Sequence, residues 1–315
     1  MYKLEENRSI PSINASITEL ADFLEVNCIL NIDKICSIYD FRSALSASSD
    51  ETDHNGIDSP DDRVLLALQE ALDEIANRHS RCNKKYPFTV NQTSIKFSSE
   101  SSFTDLDIVY LYLLFSTRLS MKSDRVHCDI DGTLLFEELC EQIAKEYFGE
   151  RAQTHIFGTS NSIERDSFGE KVNHLLKCLK EGPLSFRQPE GSRNRQNDGK
   201  LDIVVWKPFA DERSSKLIGF GQCKTGTNWE NHTTSLHPRD FFTCYVTGTP
   251  CHDPVRLFFI TDSCIDAWGE NSIRSGILFD RSRIMDYLPT KLPDSLICRI
   301  RSWVEAVLTK YSKHS

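Results

Sequence analysis

The chain has 315 residues, 39% of them hydrophobic and 26% charged, and a net charge of −9. That is a globular composition with apolar material for one large core or two ordinary ones. It holds no apolar run near the roughly 18 residues of a membrane span, and Met1 to Asn7 lack the apolar centre and cleavage site of a secretory signal, so a cytoplasmic protein with no membrane contact is expected. Eleven cysteines, an odd count with no CxxC pair, argue against a disulfide framework or structural zinc and for free, mostly buried thiols. The acidity is uneven. Residues 1–125 hold 13 Lys+Arg against 20 Asp+Glu and the remainder 24 against 26, so a local basic groove in the second part is compatible with the overall charge.

Taken in order, residues 1–45 read as short helices, with helical apolar spacing and a Ser or Thr cap in SITELADFLEVNCIL. Residues 46–60 are polar and read as an exposed loop. Val64, Leu65, Leu68, Ala71, Leu72 and Ile75 mark an amphipathic helix. Residues 80–103 are irregular, with a short strand near Phe88-Thr89-Val90, and residues 104–121 form a strongly apolar, buried helix. From about residue 126 the pattern changes. LLFEELCEQIAKEYFG is a helix ending at Gly149, and FGEKVNHLLKCLKEG a helix ending at Gly182. An Arg-rich loop follows, then the strands LDIVVW, KLIGFGQCK, VRLFFIT and GILFD, and a final amphipathic helix, LPDSLICRIRSWVEAVLTKY. The chain thus divides into a mainly helical N-terminal region, 1–125, of unassigned role, and an α/β unit, 126–315.

The chemistry centres on Asn197-Asp198-Gly199-Lys200-Leu201-Asp202, which opens one strand, and Gln222-Cys223-Lys224, which ends the next. Side chains two apart on a strand face the same side, so Gln222 and Lys224 project together, Cys223 points into the opposite layer, and a hairpin brings Asp202 beside them. Cutting a phosphodiester requires neutralising a charged transition state and activating a water. A hard divalent ion does both and prefers oxygen ligands. Asp202 supplies a charged oxygen, the Gln222 amide and the Cys223 carbonyl neutral ones, and Lys224 orients or deprotonates the water.

These motifs resemble the PD-(D/E)xK, restriction-endonuclease-like superfamily, with the closest likeness to Mrr-type catalytic domains, over about residues 130–310. In that family a DGGxD strand start precedes a QxK strand; here they read DGKLD and QCK. The family also has a helix with Gly-x-x-Phe-Glu, whose Glu reaches the metal. Here Gly132 to Phe136-Glu137 is one residue longer, which makes Glu137 the counterpart and Glu141 its competitor, with Glu138 a third choice. Gln222 replaces the second acidic residue, as in a subgroup of the family, and an insertion containing FGEKVNHLL separates the Glu helix from Asp202. The resemblance implies a central mixed sheet flanked by helices and Mg2+- or Mn2+-dependent cleavage of DNA. It also implies a place in restriction or antiphage defence beside an ATPase or sensor subunit, with homo-oligomerisation open.

Arg187, Arg193 and Arg195 crowd the loop before Asp202 and suit phosphate contacts; a solvated loop is the competing reading. Trp229 either stacks a base or packs, and packing is the expectation. Cys128-Asp129-Ile130-Asp131-Gly132-Thr133 copies the DxDGT signature of haloacid-dehalogenase-type phosphatases, with Asp129 and Asp131 as nucleophile and acid and Thr261 as a candidate partner. The residues before it are mostly polar, so the expectation is a turn leading into the Glu137 helix. A third reading is a nuclease fold that has lost activity and only binds DNA or a partner.

Overall fold

The computed structural model describes residues 1–5, 10–12, 14–47, 60–99, 102–157, 167–189 and 200–312. In chain order they form α1 (Ile17–Leu30), β1 (Ile35–Ser37), α2 (Tyr39–Ala47), α3 (Pro60–Arg81), β2 (Phe88–Asn91), β3 (Ser94–Phe97) and α4 (Asp105–Arg118). Next come β4 (Val126–His127), β5 (Ile130–Asp131), α5 (Gly132–Phe148), β6 (Gln153–Ile156) and α6 (Phe168–Leu179). The remainder is β7 (Ile203–Lys207), β8 (Leu217–Lys224), α7 (Pro238–Tyr245), β9 (Val255–Ile260), α8 (Trp268–Ser275), β10 (Ile277–Phe279), α9 (Arg281–Asp286) and α10 (Asp294–Ser312). Most of the polar 46–60 stretch lies outside the described residues.

Local chemistry explains the helix ends. The Ser16 hydroxyl caps α1 through the Glu19 amide, and Thr104 with Asp107 closes a reciprocal capping box at the start of α4. From Asp107 to Arg118 every residue of α4 is buried, as its continuous apolar run requires. In α6, Val172, Leu175, Leu176 and Leu179 recur at helical spacing and are buried, each contributing roughly 1.5–3 kcal/mol. Its termination differs from the expectation: Lys180, not Gly182, ends the helix in the left-handed region, at φ 51°. α5 does stop at Gly149, whose φ of 80° costs a glycine little.

The main sheet is mixed, in the order β10-β9-β8-β7-β6. β6, β7 and β8 form an antiparallel meander, and β9 and β10 continue parallel to β8. Helices cover both faces, so the protein is a mixed α/β structure with a helix-flanked five-stranded sheet. On one face Ile203, Val205, Cys223, Leu257 and Phe259 join a core with α4, α5 and α10. On the other, Val204, Trp206, Ile218 and Phe220 meet α6 and α7. Gly219 lets α5 settle on the first face, since a Cβ there would stand 2.7 Å from the Phe148 ring.

Residues 1–125 contribute α1 to α4 and a small antiparallel sheet, β1-β3-β2. Their core is continuous with that of the C-terminal elements: one apolar cluster runs from Tyr2 to Tyr311. A buried ion cluster reinforces it. Asp22 on α1, 0% exposed, accepts from Arg281 Nη1 and Nη2 (both 2.8 Å), Arg78 Nη1 (2.7 Å) and Arg118 Nε (2.7 Å). Burial pushes the Asp22 carboxyl up, but Arg281, Arg118 and Arg78 outweigh it and hold it below the usual carboxylate range. Glu25 goes the other way, raised by burial against the pull of Arg78. It accepts from Arg78 (2.6 Å), from the Tyr110 hydroxyl (2.9 Å) and from the Tyr86 hydroxyl.

Candidate active site

The β7–β8 hairpin pairs Ile203 with Gly221 and Lys207 with Leu217. Asp202 stands one residue before β7. Its amide donates to the Gly221 carbonyl (3.0 Å) and its carbonyl accepts from Phe157 (2.8 Å). Ahead of the start of β7, the Asp202 carboxylate completes the ladder, accepting the Cys223 amide at 2.7 Å. An extended residue directs its N–H and C=O toward the same neighbouring strand, so the Cys223 carbonyl also faces the Asp202 edge.

Gln222 and Lys224 alternate with Cys223 and share the opposite face of the sheet. Gln222 is 1% exposed, and among the described residues neither its amide oxygen nor its amide nitrogen has a hydrogen-bond partner. An enclosed amide with nothing to bind costs about 1–3 kcal/mol and marks a place where a bound group would be satisfied. Lys224 is half-buried. The His232 imidazole, on the 3-10 turn Trp229–His232, is pushed below its ordinary range by partial burial and by the ammonium groups of Lys224 and Lys200. Sequence reasoning singled out neither Lys200 as a functional residue nor His232. Lys200 lies inside DGKLD, but His232 follows β8 with no motif to signal it.

The three glutamates of α5 separate cleanly. Glu138 is held by a bidentate pair with Arg299 of α10, at 2.8 Å for Nη1. Glu141 lies toward β6, where burial raises its carboxyl and Thr154 donates to it. Glu137 lies on the Cys223 side. Both the Cys223 and Cys140 thiols are raised by burial, and the charges of Asp202 and Glu137 add to the effect. The charges of Asp202 and Glu137 thus both reach the Cys140–Cys223 pair where α5 packs on the sheet.

Other expected residues fall as follows. The Arg187 amide donates to the Tyr245 carbonyl (2.8 Å), and its guanidinium is tied to the Thr243 carbonyl; Arg193 and Arg195 lie outside the described residues. Trp229 is buried and donates its indole N–H to Asp262 (3.1 Å). The DIDGT segment is a two-residue hairpin, β4–β5, turning at Cys128 and Asp129 with φ of 49° and 61°. Asp131 then caps α5, accepting from the Thr133 amide (2.9 Å) and hydroxyl (2.6 Å), and pairs with Arg125 (3.0 Å). Six of the eleven unpaired cysteines are buried. Among the described residues no helix is long and apolar enough to cross a membrane.

For a divalent ion the available donors are hard oxygens, the type such ions prefer: Asp202, the Cys223 carbonyl, the Gln222 amide oxygen and, from the opposite, Cys223 face of the sheet, Glu137. Among the described residues no three His, Cys, Asp or Glu side chains converge as a ligand set. An ion here would therefore meet at most two carboxylates, completed by neutral oxygens. Compared with known proteins, the chain matches no family model, no curated protein and no solved structure.

Proposed function

We propose that the chain is a metal-dependent nuclease of the PD-(D/E)xK, restriction-endonuclease-like type, cutting DNA phosphodiester bonds. The observation that carries this reading is the assembly at the end of β8. There the Asp202 carboxylate is fixed on the Cys223 amide, the enclosed Gln222 amide has no partner among the described residues, and Lys224 follows on the same face as Gln222. The helix-flanked mixed sheet agrees with the fold that the motifs imply. Asp202, Gln222, the Cys223 carbonyl and Glu137 are the residues that would hold Mg2+ or Mn2+. Such an ion supplies Lewis-acid stabilisation of charge building on the phosphate. Lys224 orients the attacking water or takes its proton, and the Lys200 and Lys224 ammonium groups draw the phosphate in. Action in restriction or antiphage defence, beside an ATPase or sensor subunit, belongs to the same proposal.

The test is incubation of the full chain with supercoiled plasmid, with and without Mg2+ or Mn2+. Cleavage is expected only with metal, and Asp202→Ala and Lys224→Ala should each lower it by at least about 10²-fold while the fold persists. A folded variant that cuts at the wild-type rate would sink the assignment. A second reading, an inactive nuclease fold that binds DNA or a partner, is favoured by the lack of three convergent acidic, His or Cys side chains among the described residues. It predicts DNA binding without cleavage under every metal condition.

A further inference from the structure

The strand that carries Lys224 does not end freely. Two consecutive residues in the last turn of α4 grip the exits of β8 and β9. The Ser116 carbonyl accepts the Gly226 amide (3.0 Å), two residues past Lys224. The Thr117 hydroxyl lies 2.8 Å from the Thr261 carbonyl and 2.9 Å from the Leu113 carbonyl, sharing its proton between them, and accepts from Arg281 Nη2 (3.1 Å). Arg281 Nε donates to the same Thr261 carbonyl (3.0 Å). Thr261 in turn donates its amide to the Lys224 carbonyl, at 3.4 Å. Thr117 and Thr261 are both 0% exposed, and Arg281 is anchored on Asp22.

We infer that Thr117 is a positioning residue for Lys224, and that α4, with the Asp22–Arg281 pair behind it, is the rigid backing of the candidate site. This inference rests on the role given to Lys224 above. α4 makes other directional contacts, from Tyr110 to Glu25, from Tyr112 to the Gly132 carbonyl and from Arg118 to Asp22, but those of Ser116 and Thr117 are the ones that reach the strand exits beside Lys224. A hydroxyl at 2.8 Å fixes the Thr261 carbonyl, and the amide on the other side of the Thr261 Cα makes the last rung holding Lys224. The N-terminal elements thereby acquire a role: they aim the end of β8 rather than hang from it as an appendage.

The experiment uses the full chain and supercoiled plasmid with Mg2+. Thr117→Val keeps the shape and removes the hydroxyl; Thr117→Ser restores it. Tyr86→Phe cuts the same buried network at Glu25, away from the strand exits, and controls for plain loss of stability. Thr117→Val should lower kcat by about tenfold to a hundredfold with KM within about twofold, Thr117→Ser should return kcat to near wild type, and Tyr86→Phe should keep it. Wild-type kcat in Thr117→Val, or an equal loss in Tyr86→Phe, would overturn the inference. If the wild type itself does not cut DNA, the nuclease reading fails and the Lys224 side-chain NMR signal decides the positioning. A shift in Thr117→Val and not in Tyr86→Phe supports it; an unmoved signal in both refutes it.

Discussion

Replacing Asp22 by Asn removes one negative charge from the centre of the molecule without opening a cavity. The carboxylate accepts four hydrogen bonds from three arginines and is wholly buried. The partners do not lose equally. Arg78 keeps Glu25 at 2.6 Å and Glu74 at 3.1 Å, and Arg118 keeps Asp262 at 3.8 Å. Among the described carboxylates Arg281 retains Glu25, at 3.8 Å, beside the neutral Thr261 carbonyl and Thr117 hydroxyl, and becomes an under-compensated buried cation. Breaking one such pair costs about 3–5 kcal/mol, so Asp22→Asn should lose about 4–5 kcal/mol. That is a large part of the 5–15 kcal/mol typical of folded proteins, and at about 2–4 °C per kcal/mol it lowers Tm by roughly 10 °C. The pH dependence follows from the direction of the shift. The folded carboxyl titrates below the unfolded one, so its stabilisation is present above the unfolded value, about 3.9, and is lost as pH falls further. Urea titrations of both proteins at pH 7 and near pH 3 should show a wide gap that narrows in acid. A variant within about 1 kcal/mol of wild type at pH 7 would refute the claim that this carboxylate compensates three guanidinium groups.

Gln222→Leu removes two enclosed polar atoms that have no partner among the described residues; it should raise the stability of the metal-free protein by about 1 kcal/mol or more and abolish any Mn2+-induced rise in Tm. A wild-type thermal shift in this variant would take Gln222 out of the site. Neutralising Arg187, Arg193 and Arg195 together should weaken DNA binding on all sequences alike and flatten the plot of log affinity against log salt by up to about 0.9 per lost duplex contact. The Arg187 guanidinium already donates to the Thr243 carbonyl, so its share should be the smallest, and an unchanged slope would mean the loop is merely solvated. Asp129→Asn should leave fold and activity as they are, because Asp129 occupies an exposed hairpin turn; an aryl phosphatase activity that vanished in this variant would move the protein to the rival class.

Where the sequence was informative, a single period or cap carried the signal. α4 followed from an uninterrupted apolar run, α5 from its pattern and Gly149, and β7 to β10 from short β-rich runs between polar breaks. The shared face of Gln222 and Lys224 needed only the two-residue period of a strand. β6 was missed because Gln153-Thr154-His155-Ile156 is a polar edge strand with no residue fully buried, so tertiary pairing rather than pattern makes it a strand. The end of α6 was misplaced because Lys180 adopts the left-handed conformation that glycine usually takes. The engagement of Glu138 by Arg299 and of Glu141 by Thr154 was invisible in the sequence because those partners lie in other elements. The ion cluster left no local trace at all, because its members come from four helices and pair across the whole chain.

The Asp22–Arg281 pair joins residues 259 positions apart, and that separation bears on how the protein can be made. At about 5–20 residues per second, a ribosome needs roughly ten to fifty seconds between the two. From the time α4 emerges until α10 follows, the face of α4 that later receives Trp303 and its neighbours lacks this cover. The chain cannot close this core until the last helix has emerged. A stop codon anywhere before α10 should yield a product that is aggregated or degraded, not a shortened enzyme with partial activity.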